Sequence, residues 1–453
     1  MTTPRSTAED IVVEAAHREL VLAELAALGV GHDPAAGAED RTLGLALLAG
    51  LTGLPRLRTE HPPARPAAHR PYTDLDVLLE TLRIRFAARY GGWVPELGRN
   101  RQAAPVLPAG PGRSEPMAIG ATGSVVTIPA GRTLTAKVAR VDVKDGDAPV
   151  RTFGPGRGRP MDQKILVTIH SGDLLATGTL SGGPGLADDV PTGTGPEPAP
   201  LTVAPGTAPA DPAAGAGVVV GLVDTPPFPD DPDGAPREAV AAHSGFVAGL
   251  IAAHAPAAEL VLEPVLAGAG GRASLWDTAT AMARLVGRTP SATVLNLSLG
   301  CRTEDGRPPF VLARAVERLA QHAVLVAAAG NHGGSERATD PVWPAALPGV
   351  IAVGAHDGDG VPAPFSPRLP WVTVTAPGVS VPGPLPKATL IVDDGSAVEF
   401  DGLGTWSGTS FAAAAVTGLL AALGPSAAAS PAAAVGALLD RAAPLVRTVG
   451  HTP

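Results

Sequence analysis

The spacing of apolar positions changes character along the chain, and each change marks a different kind of element. In "YTDLDVLLETLRIRFAARY" (72–90), Leu75, Leu78, Leu79, Leu82 and Phe86 fall on one stripe of helical period. Residues 1–52 are rich in Ala, Leu and Glu and hold proline only at Pro4 and Pro34, so they also read as helical. The prolines of "PRLRTEHPPARPAAHRP" separate these two stretches. The expectation is a mainly helical N-terminal region over 1–98, then a linker at 99–121. Between 122 and 181 the period becomes two: "SVVTIP", "RTLTAKVARVDV" and "KILVTIHSGD" alternate and are rich in β-branched residues. That predicts a small β-rich module, followed by a Pro/Gly-rich linker at 182–215.

From Gly217 the pattern alters again. Apolar runs at 217–224, 259–265, 292–299, 323–329 and 349–354 alternate with helical segments at 238–253, 273–286 and 309–321. Two more helices, 410–423 and 430–441, close the chain. The strand-like runs are apolar throughout, as in parallel strands covered on both faces. The fold class is therefore α/β: a three-layer, doubly wound, mostly parallel sheet over 216–445, with a tail at 446–453. Reactive groups in such sheets gather at the carboxyl ends of strands.

Composition narrows the function. A formal charge of −9 and a pI near 5.7 give no basic footprint for nucleic acid. Cys301 is the single cysteine of 453 residues, which rules out an intramolecular disulfide framework and fits a reducing compartment. The first twenty residues contain Glu9, Asp10 and Glu14 where a signal peptide would be apolar, and no run is long enough to span a membrane. The expectation is a soluble, cytoplasmic protein that engages neither membrane nor nucleic acid.

Four polar residues stand at the ends of apolar elements. Asp224 ends the strand "GVVVGLVD"; taken alone, it reads first as a turn-capping Asp. His243 shares an inward helix face with Val240, Val247, Leu250 and Ile251, where a satisfied core histidine is the plain alternative; His254, at the end of that helix, is taken as structural. Asn331 follows "AVLVAAAG", a position that also suits a turn. In "GTWSGTSFAAAAVTGLLAAL" (404–423), Ser410 opens a helix that is apolar on every side. A serine there can serve as an N-cap, or can use the first-turn N–H groups and the dipole to hold an oxyanion.

Together, in the order Asp, His, Asn, Ser, these residues resemble the subtilisin-like serine peptidases, the subtilase family. "VVVGLVDT" resembles the aspartate motif, "HSGFVAGLI" the histidine motif, "AAAGN" the oxyanion-hole motif and "GTSFAAAAVTG" the serine motif. The likeness extends over about 215–445, with "LNLSLG" as a substrate-lining strand. Three positions differ from the usual pattern: Pro226 where glycine is common, "HSG" in place of "HGT", and Ala414 where proline is usual.

The resemblance implies a serine endopeptidase with Ser410 as nucleophile, His243 as base and Asp224 as its orienting carboxylate. Asn331 and the Ser410 N–H would bind the oxyanion. Ser298, Leu299 and Gly300 would line one side of a substrate strand, Ala269, Gly270 and Gly271 the other. Ala328, Ala329 and Gly330 would floor the pocket for the residue before the cleaved bond, favouring a large apolar side chain there. No cofactor is implied. "DDPDG" (230–234) carries carboxylates but no complete calcium ligand set, and Cys301 reads as a small buried hydrophobe beside the lining strand. The partner is a peptide or protein substrate. Residues 1–181 are expected to restrain the enzyme or to bind a regulatory partner, with 122–181 and its linker as one arrangement of a propeptide. Two other readings stay open: a peptide-binding relative with impaired turnover, and a transpeptidase or macrocyclase.

Overall fold

The structure is a computed structural model that describes residues 10–60, 73–105, 140–142, 166–171, 174–179, 199–200, 211–229, 235–267, 271–303, 305–357, 359–391, 397–426, 430–442 and 447–448. The chain forms two compact units. The first comprises Met1–Asn100, Ala121–Pro191 and Arg307–Val311; the second comprises Arg101–Gly120, Thr192–Gly306 and Leu312–Pro453.

The first unit runs β1 (Ile11–Glu14), α1 (Arg18–Ala27), β2 (Ala38–Asp40), β3 (Leu45–Leu48), α2 (Leu54–Glu60), α3 (Asp74–Arg89) and β4 (Leu97–Arg99). Its sheet has the order β2-β3-β1-β4, with neighbouring strands antiparallel. This is a split β-α-β arrangement, strand–helix–hairpin–helix–strand. Ile11, Val13, Leu25, Leu48, Leu78, Leu82 and Phe86 fill the space between helices and sheet. The expectation of a mainly helical region is thus corrected to mixed α and β. "IVVE" has the β-branched residues of a strand, and "LALL" pairs with it despite the helical propensity of Leu and Ala. Helix α3 matches the stripe read from sequence. It starts with a capping box in which Thr73 Oγ1 accepts the Asp76 N–H and Asp76 Oδ2 accepts the Thr73 N–H. Asp76 Oδ1 also accepts from Arg99 at 3.0 Å, joining the head of α3 to β4.

Gln102–Pro105 forms β5, inside the stretch expected to be linker. In the region expected to be β-rich, β6 (Arg140–Asp142), β7 (Leu166–Ser171) and β8 (Leu174–Thr179) make a three-stranded antiparallel sheet, while "SVVTIP" lies outside the described residues.

The second unit adds β9 (Ala199–Pro200), β10 (Val219–Asp224), β11 (Arg237–Glu238), α4 (His243–His254), β12 (Glu259–Pro264), β13 (Ala273–Ser274) and α5 (Leu275–Gly287). Then follow β14 (Val294–Leu297), β15 (Leu299–Gly300), α6 (Phe310–Leu319), β16 (Val324–Ala328), β17 (Val350–His356) and β18 (Val374–Pro377). A long hairpin of β19 (Val381–Ile391) and β20 (Ala397–Trp406) leads into α7 (Thr409–Ala422), α8 (Pro431–Ala442) and β21 (Arg447–Thr448).

The main sheet has eight strands in the order β21-β18-β17-β16-β14-β10-β12-β9. Its six central strands are parallel, and β9 and β21 close the two edges antiparallel. The order reverses between β10 and β14, the crevice where open α/β sheets bind their ligands. Alternate residues of the strands face opposite layers. Val220, Leu222, Val294, Val326 and Val353 pack with α4, α7 and α8 on one face. On the other, Leu285 of α5 and Leu295 of β14 close over Gly221. The three-layer, doubly wound fold expected from sequence is the one present.

Helix α7 is buried along nearly its whole length, which explains its lack of a polar face. It crosses α4 closely at Gly418. A Cβ there would stand 2.9 Å from His254 Cβ and 2.9 Å from the Ile251 carbonyl oxygen, so only glycine admits the crossing. That crossing sets the distance between the helix opening with His243 and the helix carrying Ser410.

Candidate active site

Asp224 ends β10 at the carboxyl edge of the sheet, beside the switch point, and is fully buried. Its Oδ1 lies 2.7 Å from His243 Nδ1 and accepts the Thr225 N–H at 2.6 Å. His243 is the first residue of α4 and is fully buried as well. Its ring meets Trp406 edge-on, with centroids 6.1 Å apart, and Phe411 at 5.7 Å. The carboxylate and the rings fix one face and one nitrogen of the imidazole. Among the described residues, His243 Nε2 has no hydrogen-bond partner.

Two of the departures from the family pattern turn out to be partners. The Ser244 N–H donates to Thr225 Oγ1 at 3.1 Å, and Ser244 Oγ donates to the Pro226 carbonyl at 3.2 Å. The proline that cannot donate supplies an acceptor, and the serine standing in for glycine uses it. The head of α4 is thereby tied to the end of β10. Ala414, the third departure, sits inside α7, where alanine is the best helix former.

Ser410 lies in the first turn of α7 and is buried. Its Oγ donates to the Ser298 carbonyl at 3.3 Å, while Ser298 Oγ stands 3.0 Å from the Ser410 carbonyl and 2.9 Å from Asn296 Oδ1. Asn296 Nδ2 donates to Thr417 Oγ1 at 3.0 Å, and Thr417 Oγ1 donates in turn to the Ala413 carbonyl. These buried groups clamp α7 to β14. Asn331 follows β16, and its Oδ1 accepts the Thr409 N–H at 2.9 Å. The other end of the same amide, Nδ2, is a hydrogen-bond donor near Gly408 at the head of the helix. Thr409 Oγ1 accepts the Gly330 N–H at 3.1 Å, and Ser407 Oγ accepts the Ser380 N–H at 2.8 Å. The hydroxyls at the mouth of the apolar helix are thus mostly struts that fix the turn bearing Ser410.

The four residues singled out from sequence converge on this crevice. Ala328, Ala329 and Gly330 lie where β16 ends, buried and small as expected. Leu299 and Gly300 form β15, whose other partner is the chain itself. Leu299 pairs with Pro105 and Gly300 with Ala104. Across β5, Ala273 pairs with Ala103 and Ser274 with Gln102. Residues 102–105 are the middle strand of a three-stranded antiparallel sheet, between the two stretches expected from the resemblance to line a substrate. Gly271 borders this strand; Ala269, Gly270 and the acidic "DDPDG" lie outside the described residues. Among the described residues no cluster of His, Cys, Asp or Glu suits a metal ion, and no helix is long and apolar enough to cross a membrane. Cys301 is buried, and burial pushes its thiol up to about 12, against the opposing pull of the nearby Arg101.

Sequence reasoning missed Thr225, Asn296 and Thr417. Their only signal was a polar residue inside an otherwise apolar run, as in the Asn of "VLNL" and the Thr of "AVTG".

The subtilase family model matches residues 215–449. Subtilisin E of Bacillus subtilis is 35% identical over 128 residues, covering 28% of this chain and 29% of its own. Subtilisin of Bacillus pumilus is also 35% identical over 128 residues, covering 28% and 41%. These aligned stretches are less than half the length of either relative. Among solved structures, the prenylagaramide maturation protease PagA aligns with a TM-score of 0.41 at 27% identity, over 51% of this chain and 84% of its own. The matched segment takes in Asp224, His243, Asn331 and Ser410 and spans just over half of the 453 residues, and the chain belongs to the subtilase family.

Proposed function

We propose that the chain is a serine endopeptidase that hydrolyses peptide bonds through an acyl-enzyme, and that residues 102–105 restrain it by lying in the substrate channel. The observation that carries the first part is the buried 2.7 Å contact of Asp224 with His243 at the sheet's switch point, facing the crevice that holds Ser410 and Asn331. Asp224 keeps the proton of His243 on Nδ1, so Nε2 is the basic nitrogen. A substrate strand pairing beside Ser298 brings an N–H to the Ser298 carbonyl, which the Ser410 hydroxyl now occupies. The displaced hydroxyl then turns to Nε2, gives up its proton and attacks the carbonyl. Asn331 Nδ2 and the Ser410 N–H take the oxyanion, and His243 returns the proton to the leaving amine. Water repeats the sequence to release the acyl group.

The small residues at 328–330 support a preference for large apolar side chains before the cleaved bond. Strand β5 supports restraint in cis and moves that role from 122–181 to the stretch just after β4. A cytoplasmic location belongs to the same proposal and rests on the single cysteine.

A fluorophosphonate probe tests the reading on the full-length chain. A covalent adduct on wild type and none on Ser410→Ala is the expected result, read by intact mass. The unpartnered Nε2 favours a second reading, a peptide-binding relative with impaired turnover. That reading prevails if wild type and a channel-freed Pro105→Asp variant both stay unlabelled.

A further inference from the structure

We infer that the Ser298 side chain is a positioning residue for the Ser410 nucleophile, a duty it shares with the Ala414 N–H. The inference rests on the peptidase reading above. Ser298 meets Ser410 at two points. Its carbonyl accepts the Ser410 hydroxyl at 3.3 Å, and its own Oγ stands 3.0 Å from the Ser410 carbonyl. Both residues are buried, so no solvent competes for either contact. A substrate strand displaces the first contact. The second survives, because helix carbonyls point along α7 away from its mouth. That carbonyl belongs to the peptide that follows Ser410. Turning this peptide swings the Cα–Cβ bond of Ser410 and carries the hydroxyl with it. A reacting atom misplaced by about 1 Å costs about 10²-fold in rate.

Two donors hold the carbonyl. In the ladder of α7 it takes the N–H four residues on, that of Ala414. Proline, usual at that position, has no N–H to give and would leave the Ser298 hydroxyl as the carbonyl's donor. Ser298 also has a second acceptor for its one proton, Asn296 Oδ1 at 2.9 Å. Asn296 is 1% exposed, and its Nδ2 is committed to Thr417 Oγ1, so its oxygen faces Ser298. A proton sent wholly to the nucleophile's carbonyl would strand that buried oxygen. The Ala414 N–H removes the conflict, because it keeps the carbonyl satisfied while the hydroxyl is shared. Ser298 and Ala414 therefore act as a pair, and each covers in part for the other.

The test uses the full-length chain in the channel-freed Pro105→Asp background. Turnover of the anilide of Ala-Ala-Ala-Phe and the rate of fluorophosphonate labelling are read beside melting temperature. Ser298→Ala is expected to lower kcat by about tenfold to 10²-fold with KM held within about twofold, since the backbone that pairs with substrate is kept. Ser298→Thr, which returns the hydroxyl, restores most of that loss. Thr417→Val strands the other end of Asn296 and serves as the stability control: at a comparable loss of melting temperature its kcat falls several times less. Ala414→Pro alone is expected to cost about threefold or less, whereas adding it to Ser298→Ala lowers kcat about tenfold beyond the product of the single losses. Losses that simply multiply overturn the inference, and so does a Ser298→Ala variant that loses no more kcat than Thr417→Val. If the methyl of Ser298→Thr or the ring of Ala414→Pro unfolds the chain, the comparison of Ser298→Ala with Thr417→Val decides alone. Failure of the peptidase reading looks different: no variant is labelled or turns over, wild type included. Hydrogen exchange over 409–414 then decides. Faster exchange in Ser298→Ala than in Thr417→Val sustains the inference, and equal rates overturn it.

Discussion

Helices α4 and α7 both open with a residue of the site and both are buried, yet they are anchored in different ways. The head of α4 hangs from one strand end. Asp224 holds the imidazole, Thr225 accepts the Ser244 N–H, and Pro226 accepts the Ser244 hydroxyl. The head of α7 is held from three strands at once. Asn331 beyond β16 takes the Thr409 N–H, Ser298 beyond β14 meets Ser410, and the Gly378 carbonyl beyond β18 takes the Gly408 N–H at 2.8 Å. The backbone of the alcohol is therefore fixed by three supports, and its side-chain torsion is the freedom that remains. The imidazole has one hydrogen-bonded support, the Asp224 carboxylate, and otherwise rests against the rings of Trp406 and Phe411.

Substitutions break this contrast in order of size. Ser410→Ala is expected to lower kcat by about 10⁶-fold, whereas Asp224→Asn, which spoils the tautomer but keeps the shape, lowers it by about 10⁴-fold. Equal losses would mean that the single anchor of α4 matters as much as the nucleophile itself. Asn331→Ala should cost about 10²–10³ in kcat with KM little changed, the scale seen for loss of that donor in a subtilisin. Asn331→Asp restores the acceptor for Thr409 without the donor, so recovery of stability but not of turnover separates the two duties of the amide.

Smaller effects probe the supports. Thr417→Val removes the acceptor of Asn296 Nδ2 and strands a buried donor, with a loss of about 1–3 kcal/mol in denaturant unfolding. Ser244→Ala removes one neutral, part-buried bond and should lower stability by about 1 kcal/mol, roughly 2–4 °C in melting temperature. A larger fall in kcat for Ser244→Ala than for Thr417→Val would confirm that the single anchor is the weaker one. The mildest test is pH. Burial lowers the pKa of His254, at the crossing with Gly418, so the folded state prefers the neutral ring. Its stability is full above the ordinary histidine value of 6.5 and declines as pH falls below it, because the unfolded chain then binds the extra proton. His254→Gln should flatten the dependence of melting temperature on pH between about 5 and 7.

The sequence announced five of the six parallel strands because buried parallel strands are apolar throughout and cannot be mistaken for amphipathic ones. It also announced Asp224, His243, Asn331 and Ser410, each at the end of such a run. It hid whatever depended on long-range pairing. β18 escaped notice because "VTAP" is short and ends in proline. β3 looked helical because Leu and Ala favour helices until a neighbouring strand claims them. β5 looked like linker for a related reason: "QAAP" has no strand signature of its own, and it is extended only because β13 and β15 flank it. The struts Asn296 and Thr417 lie 121 residues apart, and no local pattern joins them.

If β5 fills the substrate channel as proposed, it does so within one molecule, and its competition with an arriving peptide is set by tether length and not by how much protein is present. Dilution cannot relieve it, and overexpression cannot deepen it. Severing the tether would turn a first-order equilibrium into a second-order one, and a single cut would then make the duration of silence depend on the abundance of the released fragment.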